Sequence, residues 1–151
     1  MKISGPNTYY LAINACKINV TGPNGENHFV APATSKKTPK LYIVSAEGML
    51  LYVGVTSQSM STRIRMGMTA DGTHGYHGYT WGKKNHNLRL DIWYLKDSAT
   101  PNLDIETIEA ETVFLYRKMS DQWPAYQTEI HFHPSSEVHR RCAAEIIESL
   151  K

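Results

Sequence analysis

The sequence predicts an α/β fold: a small, mainly antiparallel three-stranded sheet flanked by helices, with an N-terminal extension and a C-terminal helix. Three observations carry this. LYIVSAEGMLLYVG, residues 41–54, holds two β-rich runs around Ala46-Glu47-Gly48 and reads as a hairpin. LRLDIWYL, residues 88–95, reads as a third strand. LDIETIEAETVFLYRKM, residues 103–119, places Ile105, Ile108, Thr112, Leu115 and Met119 at steps of three and four, the stripe of an amphipathic helix.

Taken in order, residues 7–20 mix apolar and polar groups and suit a strand or a short helix. Residues 21–40 are rich in Gly, Pro, Ser and Lys and read as turn and loop, with a short strand at 28–31. Lys36, Lys37 and Lys40 would make this stretch a basic arm able to touch phosphate. In the hairpin, a three-residue loop ending in Gly48 suits a type I turn followed by a left-handed residue. It would pair Ser45 with Met49 and set Tyr42 opposite Tyr52, on one face. A two-residue Glu-Gly loop would instead place the tyrosines on opposite faces.

Ser57 or Ser59 then caps a helix whose Met60, Ile64 and Met68 form a buried stripe, with Arg63 beside it. Residues 71–84 form a segment rich in Gly, aromatics and His. Its His74, His77, Lys83 and Lys84 are candidates for nucleic-acid contact; equally, its Tyr and Trp rings could tuck into the core. Glu109 and Glu111 border opposite edges of the stripe on the 103–119 helix, and periodicity does not choose between them. After Pro124, TEIHFHP alternates as a strand would, with Glu129, His131 and His133 on one face. Ser135 or Ser136 caps a last helix lined by Val138, Cys142, Ile146 and Leu150.

The chain has 151 residues, 41% apolar and 20% charged, which suits one domain with a proper core. Its parts are an N-terminal extension (1–39), a core (40–127) and a C-terminal strand and helix (128–151). Two cysteines without metal spacing argue against a disulfide framework, and no apolar run spans a bilayer. The N-terminus lacks the apolar core of a signal peptide, so a cytoplasmic protein without membrane contact is expected. Net charge is +2, but residues 1–100 carry 11 Lys and Arg against 5 Asp and Glu. The last 51 residues carry 5 against 9. The basic part would suit a polyanion such as DNA.

Tyr42 between two aliphatics, Tyr52-Val53-Gly54, Arg63 on the next helix and Glu111 on a later one form an ordered set. This set resembles the GIY-YIG nuclease superfamily over residues 40–127. The resemblance implies a metal-dependent DNA endonuclease. Tyr42 and Tyr52 match the two motif tyrosines, Gly54 the second motif's glycine, and Arg63 the catalytic arginine. Glu111 matches the carboxylate that holds Mg²⁺ or Mn²⁺. Lys40 stands in place of the first motif's glycine, Gly67 where several members have a histidine, and Gln127 where many have an asparagine. Lys40, Gly54, Arg65 and Gln127 join the expected DNA-contacting residues.

The chemistry is coherent: a tyrosine relays a proton, an arginine fork braces the phosphate, and one carboxylate with waters suits Mg²⁺. The chain's compactness fits a restriction or phage-type nuclease best. With one site it must form a homodimer or act twice to cut both strands. Two other readings compete. One is a non-catalytic nucleic-acid-binding module on the same fold. The other is a zinc protein using Glu129, His131 and His133.

Overall fold

The computed structural model describes residues 1–14, 17–70 and 87–151. Its elements are β1 (Lys2–Asn14), β2 (Lys17–Thr21), β3 (Lys40–Ala46), β4 (Met49–Thr56) and α1 (Met60–Thr69), followed by β5 (Asn87–Lys96), α2 (Pro101–Ser120) and α3 (Glu137–Ser149). The strands form one antiparallel sheet in the order β2-β1-β5-β3-β4. The expected three-stranded sheet is therefore its β5-β3-β4 part. What reads as an N-terminal extension contributes the other two strands, because Tyr9, Leu11 and Ile13 alternate into the core.

Each face of the sheet has its own core. One holds Tyr9, Tyr42, Val44, Leu90 and Ile92 beneath Met60 and Ile64 of α1. The other holds Leu41, Ile43, Val53 and Trp93 beneath Ile105, Ile108 and Val113 of α2 and Cys142 and Ile146 of α3. β3 and the later part of β5, residues 92–95, are apolar on both faces because both are covered there.

Two expected strands are absent. Residues 28–31 form loop and turn, and residues 128–133 are irregular. The alternation of TEIHFHP finds no ladder, since the free edge of β4 is already taken. Ala125 and Tyr126 donate their backbone N–H groups to Leu50 and Leu51 at 3.1 and 2.8 Å. On α2 the stripe also shifts: Ala110 and Val113 are buried, while Leu115 is half-buried and Met119 is exposed.

The β3–β4 turn is a two-residue one. Ala46 pairs with Met49, and Glu47 and Gly48 both take positive φ, 52° and 76°, as a type I′ turn requires. Ser45 pairs with Leu50 but Val44 with Tyr52, so Leu51 is the extra residue of a bulge. Tyr42 consequently lies opposite Gly54 rather than Tyr52. The bulge reverses the face swap that a two-residue turn alone would cause, and both tyrosines stay on one face.

α1 starts at Ser59, whose side chain accepts from the Thr62 N–H. α2 starts with Pro101 in its first turn. α3 is stapled to α2 through His139. Its Nδ1 accepts the Ser136 N–H at 3.0 Å, so Nε2 carries the proton that it donates to Asp104 at 2.7 Å. Burial raises the Asp104 carboxyl, but bonds from Ser98, His139 and Thr100 outweigh it and leave the pKa below the usual carboxylate value. Among the described residues no helix is long and apolar enough to cross a membrane.

Candidate active site

Tyr42 is central on β3 and fully buried on the α1 side of the sheet. Tyr52 lies diagonally across the hairpin, half-buried, its ring centroid 6.1 Å from that of Tyr42 at a 40° tilt. Gly54 makes this pairing possible. A Cβ there would sit 2.5 Å from the Tyr42 hydroxyl oxygen and 2.7 Å from a ring carbon of Tyr52. Arg63 reaches the same place from the first turn of α1, its Nε donating to the Tyr42 hydroxyl at 3.4 Å. Arg65, two residues on, points about 200° away around the helix. It lines a separate 390 Å³ groove with His28 and Met68, so it is no equivalent of Arg63.

The carboxylate of Glu109 on α2 lies within the electrostatic reach of Arg63. Burial, then the neighbouring Glu106, push its pKa up to about 8, and the charge of Arg63 opposes the rise. Glu111, two residues on, is also about 200° around the helix; both carboxylates are half-buried. The structure thus brings Tyr42, Tyr52, Gly54 and Arg63 together, with Glu109 within the electrostatic reach of Arg63 and Glu111 on another side of the helix.

Two residues expected to contact DNA serve the scaffold instead. Lys40 is fully buried. Its ammonium donates to the carbonyls of Ser35, Thr38, Ser57 and Gln58 at 2.7, 2.9, 3.4 and 2.8 Å. Burial pulls its pKa down to about 8, while the four carbonyls favour the charged form. It ties the loop before β3 to the β4–α1 junction, and so to the helix that carries Arg63. The side-chain amide of Gln127 grips Val53 on both sides, accepting its N–H at 2.9 Å and donating to its carbonyl at 3.0 Å. Val53 sits between Tyr52 and Gly54, so this grip holds the second motif in place. Nothing in the sequence marks either lysine or glutamine for such roles.

Gly67 is buried in α1. His74, His77, Lys83 and Lys84 lie outside the described residues. The zinc set does not converge. His131 faces Glu129 at 3.3 Å near solvent, whereas His133 turns to Glu106 of α2 at 2.9 Å. Among the described residues no group of three or more His, Cys, Asp or Glu is placed to hold a metal ion.

No protein-family model, curated protein or solved structure matches the chain.

Proposed function

We propose that this protein is a metal-dependent DNA endonuclease of the GIY-YIG kind, with its site built from Tyr42, Tyr52, Arg63 and Glu109. The observation that carries the reading is the compact group itself. Two tyrosines are packed against a glycine, an arginine holds one of their hydroxyls, and a desolvated carboxylate lies within that arginine's field.

The donor chemistry suits a hard divalent cation. Glu109 is costly as a bare anion because it is partly desolvated and lies beside Glu106, and a dication would relieve both penalties. One carboxylate with waters is an ordinary Mg²⁺ or Mn²⁺ arrangement. Glu109 is the residue that would hold the ion. When bound, the ion supplies positive charge at the leaving oxygen.

The remaining work falls to side chains. Arg63 has a guanidinium fork that can brace the phosphoryl oxygens as negative charge builds on them. Its bond to Tyr42 fixes the fork. Tyr52, the more exposed of the pair, would relay the proton of the attacking water, accepting it on its phenolic oxygen as its own hydroxyl proton passes to solvent. DNA as substrate is supported by the basic balance of the first 100 residues.

The test is supercoiled plasmid with Mg²⁺ or Mn²⁺, with and without chelator, using wild type, Glu109→Gln and Glu111→Gln. Metal-dependent nicking should fall at least ~100-fold in Glu109→Gln, the scale of losing one transition-state contact. It should persist in Glu111→Gln. The reverse order would return the carboxylate role to Glu111. Salt-sensitive DNA binding without cleavage of plasmid, single-stranded or branched substrates would make the chain a binding module.

A further inference from the structure

On the side of the sheet opposite the tyrosine site, α2 and α3 cover only part of the surface. The rest is an open groove of about 560 Å³ over β2, β1, β5 and the end of β3, bordered by Leu150 of α3. A volume of this size holds a nucleoside.

The floor is a grid set by register. Tyr10 lies between Thr21 and Arg89, and Ala12 between Asn19 and Asn87. Directly paired residues share a face, as do Tyr10 and Ala12 two apart on β1. A small hollow at Ala12 is therefore flanked by two carboxamides, next to a tyrosine that is 55% exposed. A large aromatic at that exposure, in mid-strand, is an open stacking platform.

One part of the site is built rather than incidental. Asp91 lines the groove yet is fully buried. It accepts from Thr8 Oγ1 at 2.5 Å and from Arg89 Nε and Nη2 at 2.9 and 3.2 Å. Two of the five guanidinium N–H groups are thus used to fix the plane of Arg89 beside Tyr10, and three are left over. The pair is electrically balanced. A phosphate backbone would gain little from it; a neutral, flat ligand with carbonyl acceptors would gain stacking and hydrogen bonds together.

We infer that this groove binds a nucleobase of a single-stranded nucleic acid, stacked on Tyr10 and read by Arg89, Asn19 and Asn87. Asn and Arg carry the donors and acceptors that match base edges, and thymine and guanine offer the carbonyl oxygens that Arg89 can take. The inference does not depend on the nuclease reading, because the two sites lie on opposite faces of the sheet.

The experiment is a calorimetric and NMR titration of the full chain with thymidine and with a short oligothymidylate, at low and raised salt. The expected result is binding of both, with thymidine insensitive to salt. Tyr10→Ala should weaken it at least about tenfold, the scale of one lost base–aromatic stack. Ala12→Leu, which fills the hollow and leaves the core untouched, should weaken it comparably. Glu109→Gln should bind as wild type does, keeping this test separate from that of catalysis. Absence of thymidine binding, equal binding by the Tyr10→Ala and Ala12→Leu variants, or occupation of the groove by a neutral oligosaccharide instead would overturn the inference.

Discussion

Gly54→Ala is the sharpest probe of the tyrosine pair. The added methyl would meet the Tyr42 hydroxyl oxygen at 2.5 Å, a Tyr42 ring carbon at 2.6 Å and a Tyr52 ring carbon at 2.7 Å. Comfortable carbon contacts lie near ~3.5–4.0 Å, so two rings must each retreat by about 1 Å. Tyr42 has nowhere to go, being fully buried between strand neighbours. Overpacking of this kind costs about 1–3 kcal/mol. With both rings jammed, about 2 kcal/mol is the expected cost, a fall in Tm of about 4–8 °C for a domain of this size. Thermal unfolding followed by circular dichroism measures it. Plasmid cleavage should fall further than stability does, because the ring shift breaks the hydroxyl's bond to Arg63. Gly48→Ala is the control. Its Cβ meets nothing within 4 Å, and its φ of +76° makes the cost purely one of backbone strain, about 1 kcal/mol. It should lower Tm slightly and leave cleavage alone. An unchanged Tm and normal cleavage in Gly54→Ala would refute the packing argument.

Three other perturbations follow from the scaffold. Gln127→Ala leaves the Val53 N–H and carbonyl without their partner and should cost about 1–3 kcal/mol; a denaturant midpoint equal to wild type would count against the grip on β4. Lys40→Met strands four carbonyls, so a loss of similar size is expected in chemical unfolding, with reduced cleavage as α1 loosens. The depressed pKa of Asp104 links stability to pH. The unfolded carboxyl titrates near ~3.9, so the stabilisation is fully present above that pH and is lost as pH falls through the lower folded value. Asp104→Asn should therefore flatten the acid limb of a Tm-against-pH curve, and a limb as steep as wild type would show that α3 docking does not depend on this group.

The sequence made the hairpin, the third strand and all three described helices readable, because each carries its own period and caps. It left residues 7–20, which span much of β1 and β2, open between a strand and a short helix. Their outward positions, such as Asn19, Tyr10 and Thr8, are polar residues of an uncovered sheet face, and they blur the apolar alternation of Tyr9, Leu11 and Ile13. TEIHFHP misleads in the opposite sense. Alternation reports what a strand could bury, yet a strand also needs a free ladder, and Ala125 and Tyr126 already occupy β4. In the candidate site, Tyr42, Tyr52, Gly54 and Arg63 were legible from order and spacing. The choice of Glu109 was not, since two carboxylates flank one stripe and only the field of Arg63 separates them. Lys40 was least legible. A lysine in a basic loop looks like a phosphate contact, and only the folded chain gathers four carbonyls around it.

The turn at Glu47-Gly48 and the spare residue Leu51 are two parity changes that cancel. Either one alone would exchange inside for outside along the whole of β4, sending Tyr52 and Gly54 to the far side of the sheet. Straightening the bulge with Leu51 kept in the ladder would therefore do more damage than its size suggests, whereas deleting Leu51 outright would leave Val44 opposite Tyr52. One extra residue in the turn, by contrast, is harmless if the bulge irons out at the same time. What the hairpin must keep is an even register between its two tyrosines, and turn length and bulge are interchangeable means of keeping it.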